Sequence, residues 1–274
     1  MTTKFDYIPA IYKVQIVNKS KNLKKDQLEK VVKAINKQLE RDFYSAWALI
    51  AKCSIAPVSR SVDDFDRGGV IFLVDQVSDD ALGYHDVIKK NGVAYGYVFL
   101  DVSKELDENW SVTLSHEVLE LVLNKHVNQY ALGKHPKESR MVFHWFEACD
   151  AVQDQSYAID RVRVSDFVHP AWFTPYSEVN LRNNQLDNVK SFSLADGGYQ
   201  GFYDPAHGRD DNYFADSRAM ARYDIKAQLD LNRRRMRALD FTKGISYDSE
   251  DSFSIGWRDS GLSVGENNFG NRKK

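Results

Sequence analysis

The chain has 274 residues, 43% of them hydrophobic, and a formal net charge of −2. Such a length and apolar content support a packed core and exclude wholesale disorder. The near-neutral balance gives no whole-chain electrostatic case for a nucleic-acid partner, two cysteines (Cys53 and Cys149) are too few for a disulfide scaffold, and no leader-like or membrane-length apolar run is seen. The expected setting is therefore reducing, without a membrane or nucleic-acid partner, and a single Cys53–Cys149 bridge remains open.

Tyr12 to Val17 alternates and is β-branched, which predicts a strand. From Lys25 onward Leu28, Val31, Val32, Ile35, Leu39, Phe43 and Trp47 recur at helical spacing, with Lys and Glu between them, predicting a long amphipathic helix. Ala51 to Val58, Gly69 to Val74 and Tyr95 to Val102 read as three further strands, the first two separated by the polar loop 59–68. A second helix is expected over Ser111 to Asn128. After Gly133 short runs rich in Trp, Phe, Tyr, Asp and Pro continue to about Pro175 and predict a lobe of loops and short elements. Asp216 to Phe241 again has helical spacing and contains the basic run Arg233-Arg234-Arg235, and the polar residues from about Tyr247 read as a loose tail. The order predicts an α+β fold, a mixed sheet with a long N-terminal helix. Residues 1–132 form an α/β subdomain, 133–205 an irregular lobe, and 206–274 a C-terminal helix and tail.

The second helix carries the chemistry. In SHEVLELVL, His116 and Glu120 are one turn apart, so both side chains leave the same face and can hold one cation. Glu117, next to His116, is placed to accept a proton from water beside such an ion, the task of the Glu in His-Glu-x-x-His. Here Glu120 replaces the second His, which keeps zinc as the first choice of divalent metal and widens the choice toward manganese, magnesium or calcium. The same pattern alone also fits a solvated helix face. The neighbours Val118, Leu119, Leu121, Val122 and Leu123 are apolar, however, and ionisable groups on a buried helix need partners or a metal. A further ligand is expected from the acidic run 147–154, with Glu147 and Asp150 ahead of Asp154.

Several stretches, DFYSAW (42–47), LGYHD (82–86), SVTLSHEVLE (111–120), EACD (147–150) and VSDFVHPAWF (164–173), resemble those of a family of bacterial and phage proteins related to zincin metallopeptidases. The resemblance spans about residues 10 to 205. It implies a zincin-like fold and a virion context for a phage-encoded member.

Other residues invite weaker readings. His85 suits a turn hydrogen bond or a cleft-mouth role, His144 and His169 suit packing, and Cys149 suits a small buried hydrophobe better than a nucleophile. Tyr157 is a candidate oxyanion partner, and the Arg233 to Arg235 run suits a helix end or a protein contact better than nucleic acid. The expected function is a metal-dependent hydrolase, a peptidase first, with His116, Glu120 and Asp150 or Glu147 as ligands and Glu117 as general base. The alternative is a catalytically inactive zincin-like structural protein with virion or oligomer partners. The corresponding locations are the cytoplasm and the virion.

Overall fold

The computed structural model describes residues 11–60, 64–65, 67–75, 86–87, 93–126, 128–175 and 189–223. Strand β1 (Tyr12–Asn18) leads into helix α1 (Lys25–Lys37), whose buried residues Leu28, Val31, Val32, Ala34 and Ile35 are the apolar stripe of the sequence. A π-helical turn (Gln38–Phe43) and α2 (Tyr44–Trp47) continue the rod to Trp47, where Ala48 enters the left-handed region at φ 54° and stops it. Strands β2 (Ala51–Ala56), β3 (Gly69–Val74), β4 (Asp86–Val87) and β5 (Ala94–Phe99) complete a sheet of order β2-β1-β3-β5-β4. It is parallel except for the edge pair β4–β5.

Strand alternation divides the side chains between two faces. Val14, Ile16, Ile71, Leu73, Ala94 and Val98 join the main core with α1 and the second long helix, α4 (Trp110–Leu123). Val17, Val70 and Phe72 lie opposite, under Phe65 and the tyrosines 95 and 97. Helix α4 is buried around almost its whole circumference. It lies between the sheet and strand β9 (Val162–Ser165) of the antiparallel hairpin β8 (Ser156–Ile159)–β9.

Three expected boundaries shift. The strand expected through Val102 ends at Phe99, where the chain bends, Asp101 N–H donates to the Asp75 carbonyl at 2.9 Å and α3 (Leu100–Glu105) begins. The strand expected through Val58 ends at Ala56, because Pro57 has no ladder N–H and a turn follows. The helix expected through Asn128 ends at Leu123, because the Asn124 side chain turns back to accept the N–H groups of Asn128 and Gln129 at 3.2 and 3.3 Å.

The segment expected to be irregular contains regular strands. β6 (Tyr130–Lys134), β7 (Met141–Trp145), β10 (Tyr199–Asp204) and β11 (Arg209–Phe214) form an antiparallel sheet of order β11-β10-β7-β6. The long separation between β7 and its partner β10 hides this sheet from local pattern reading. The fold is thus mixed, with one largely parallel and one antiparallel sheet. The helix expected from Asp216 begins at residue 217, with Asp216 accepting the Ala219 N–H at 2.8 Å, and is described to 223. Its remainder, Arg233 to Arg235 and the tail lie outside the described residues, as does His85. No helix among the described residues is long and apolar enough to cross a membrane.

Gly69 lets α4 approach the sheet. A Cβ there would lie 2.2 Å from Leu121 Cδ2. Gly69→Ala should therefore displace Leu121 and cost about 1–3 kcal/mol of unfolding free energy, the usual range for overpacking. Urea unfolding checks this, and an unchanged midpoint would remove the close contact from the account.

Candidate metal centre

A buried polar network fixes the rotation of α4 before any site is formed. Gln38, in the π turn, donates to the Ser165 carbonyl at 2.7 Å and to the Tyr157 hydroxyl at 3.1 Å, and accepts from Ser115 Oγ at 2.7 Å. Ser115 Oγ in turn accepts the Ser165 N–H at 3.0 Å. Toward the start of the helix, Ser111 Oγ donates to the Arg163 carbonyl at 2.7 Å. With Ser115 turned toward β9, His116 and Glu120 face the segment 147–150. Tyr157, the sequence candidate for an oxyanion partner, belongs to the locking network, where its hydroxyl donates to Asp42 at 2.8 Å.

The opposing wall follows β7. Ala148 accepts the Val168 N–H at 2.8 Å, and a 3-10 turn (Asp150–Val152) is tied to residue 195 by Ala195 N–H donating to Ala151 O at 3.0 Å. These bonds present Glu147 and Asp150 to α4. His116 Nε2 lies 3.1 Å from Glu120 Oε2 and 3.2 Å from Asp150 Oδ1. The second Glu120 oxygen, Oε1, accepts the Cys149 N–H at 3.0 Å, so the carboxylate is held by helix and loop together. Glu147 and Tyr199 of β10 come within hydrogen-bonding reach of Asp150.

Burial and charge act against one another here. Burial alone would lower the His116 pKa, but Glu120 and Asp150 outweigh it and hold the imidazole well above its ordinary value. Burial likewise opposes ionisation of Asp150, yet His116 and the hydrogen bonds from Glu147 and Tyr199 bring its carboxyl below the usual range. Glu147 goes the other way: burial, then the charges of Asp150 and Glu120, push it well above a normal carboxyl. Burial and the Asp150 charge likewise keep the Tyr199 phenol protonated.

One imidazole nitrogen thus faces two carboxylate oxygens. A single N–H can point at only one of them, and buried Asp150 Oδ1 has no donor in hydrogen-bonding alignment despite its 3.2 Å approach. A shared divalent cation would satisfy the set. Donor atoms around a tetrahedral zinc with bonds of about 2.0–2.1 Å sit about 3.3 Å apart, close to the two contacts seen here. Two donor pairs, His116–Glu120 and His116–Asp150, therefore stand at separations that suit such an ion. His116, Glu120 and the Cys149 thiol also offer ligand atoms within 4.8 Å of one another. Asp150 is a further candidate donor, with Oδ1 3.2 Å from His116 Nε2. The Cys149 thiol approaches the His116 carbonyl at 3.9 Å, and burial and the nearby carboxylates push its pKa up.

The structure brings together His116, Glu120, Glu147 and Asp150. Glu117 lies buried on the same helix, about 100° around from His116, and the charges that dominate at His116 are those of Glu120 and Asp150. Asp154 lies elsewhere, paired with Arg218 and Arg222. Cys53 and Cys149 are both free thiols. His169 precedes the 3-10 turn Pro170–Phe173 and packs near Phe167. Tyr199 escapes the sequence reading, since nothing local separates it from the other 13 of 14 tyrosines. A crevice of about 10 Å³, roughly the space of one water, is lined by Trp145, Trp172, Tyr199 and Gly201 together with Glu147 and Asp150.

His144 is fully buried and stacks on Phe192 with ring centroids 4.5 Å apart. Its Nε2 donates to the Lys134 carbonyl at 3.0 Å, which makes Nδ1 the unprotonated nitrogen. Burial lowers its pKa to about 4. The folded state therefore resists a proton that the unfolded chain accepts below about 6.5, so this contribution is present above 6.5 and is lost as pH falls toward 4. Between pH 7 and 4.5, wild-type protein should lose roughly 2–3 kcal/mol more stability than His144→Gln. Denaturant unfolding at both pH values measures the difference, and equal losses would show that His144 is not the acid-sensitive group.

Comparison of the chain with known protein families, with curated proteins and with solved structures returns no match.

Proposed function

We propose that this protein is a metal-dependent hydrolase of the zincin kind, acting on peptide bonds. The observation that carries the reading is the meeting of His116 Nε2 with Glu120 from its own helix and with Asp150 from a separate element. A shared cation accounts for three ionisable groups with exposures of 9%, 4% and 3% at one point. The ion's part is Lewis acidity toward a carbonyl and toward water. The remaining work belongs to the chain. Glu120 is oriented by the Cys149 N–H, Asp150 is held by Glu147 and Tyr199, and the Trp145–Trp172 crevice leaves room for about one water beside Glu147 and Asp150. Glu117 takes the proton from the attacking water in this reading, as its place beside His116 in the motif suggests. Glu147 borders the crevice and contacts Asp150, and its raised pKa suits it to donate a proton to the leaving group.

The narrow crevice and the burial of all three donors favour one second reading, a structural ion in a particle or assembly protein that has no turnover. Assay of purified wild type, Glu117→Gln and Glu147→Gln against a broad peptide library, with metal content measured in parallel, separates these readings. The expected result is wild-type cleavage, with Glu117→Gln keeping its metal and losing at least about 100-fold in rate, the lower range for a general base. The same loss in Glu147→Gln alone would place the rate-limiting proton transfer at Glu147 and remove Glu117 from it. A metal-loaded wild type that cleaves nothing would leave the structural reading.

A further inference from the structure

We infer that the solvent face of α1 and the adjoining β8–β9 turn form a binding surface for the phosphate backbone of a nucleic acid. The near-zero total charge conceals a strong segregation. Residues 11–60 contain nine lysines and two arginines against two aspartates and two glutamates, a net of +7 in a chain whose total is −2. On α1 and its π turn, Lys30, Lys33, Lys37 and Arg41 are exposed at steps of three, four and four residues, so they recur along the side opposite the buried stripe. From Lys30 to Arg41 the rod covers about 16 Å, over which one strand of a duplex presents about five phosphates.

A second element extends the same surface. Lys37 pairs with Asp160 at the hairpin tip, and the Asp160 carboxyl is held below its usual range by that contact, with Lys33 and Arg41 also acting on it. Three cations, of which Arg41 is itself held bidentately by Asp42 at 2.5 and 2.8 Å, therefore act on one exposed carboxylate. The next residue, Arg161, adds a fourth charge at the tip, and exposed Arg163 follows. Asp160 and Arg161 are the two central residues of a tight turn, between the paired Ile159 and Val162, with φ of 51° and 67°. Glycine is the residue such a second position favours, and an arginine there is strained. The chain thus carries a cationic side chain next to Asp160, the partner of Lys37, at a position glycine would occupy without strain. An anionic bilayer is the poorer match, because it calls for exposed apolar side chains among the cations. Tyr44 is the only exposed large hydrophobic residue of this rod among the described residues.

Fluorescence anisotropy with a labelled 20-base-pair DNA duplex tests the surface on the intact protein. Binding is expected to weaken with salt at a log–log slope of about −3 to −4, for roughly four phosphate contacts. Lys30→Glu with Lys33→Glu should reduce affinity at least about tenfold and lower that slope, while Arg209→Glu, exposed at the start of β11 in the other sheet, should bind as wild type, which separates this surface from a general charge effect. Arg161→Gly is the sharper variant. It should weaken the duplex complex and, by relieving the turn, raise the thermal midpoint by about 2–4 °C. Absence of duplex binding at low salt, indifference to these substitutions, or binding to phosphatidylserine vesicles or acidic protein in place of the duplex would each overturn the inference.

Discussion

Charge inside a buried helix is the constraint on which the rest of the structure depends. Helix α4 is apolar around most of its surface and sits between a sheet and a hairpin, yet it carries His116, Glu117 and Glu120 with little exposure. Ionised groups in such a place are costly unless each meets a partner of opposite charge, a hydrogen-bond donor or a cation. The surroundings are arranged accordingly. The Cys149 N–H faces Glu120, Asp150 faces His116, and Tyr199 and Glu147 face Asp150. The Gln38–Ser115–Ser165 network holds the helix at the rotation that makes these meetings happen.

The packing that supports this centre is conventional in its physics and specific in its residues. Gly69 brings Leu121 and hence α4 down onto β3, while the second sheet supplies Trp145 and Tyr199 to the far side of Asp150. In that sheet Trp145 lies over Gly201, where a Cβ would stand 2.7 Å from its ring. The candidate centre is thus assembled from α4, the segment after β7, and β10, three parts of the chain that share no local sequence signal.

Those origins explain how far the sequence could be read. The amphipathic rod from Lys25 to Trp47, the strands β1 and β3 and the existence of α4 follow from periodicity alone, because each buries one face or a continuous apolar run. The spacing of His116 and Glu120 is also local, and the acidic run after β7 was a short enough segment to make Asp150 a candidate. The antiparallel sheet was not legible. Its strands β7 and β10 are brought together from more than 50 residues apart, and their short mixed sequences look irregular until paired. Tyr199 was illegible for the same reason, and Tyr157 was drawn into the wrong role because its partner Gln38 lies on a distant helix. The total charge of −2 also averages away the net +7 carried by residues 11–60.

Titration of zinc into metal-free protein by calorimetry, for wild type, His116→Ala and Asp150→Asn, tests the shared-cation centre most directly. The account predicts one zinc per wild-type chain, no specific site in His116→Ala, and an affinity in Asp150→Asn reduced by at least about 100-fold, beyond the loss typical of an outer-shell partner. A wild type that takes up no stoichiometric metal, or an Asp150→Asn protein that binds zinc as tightly as wild type, would contradict it.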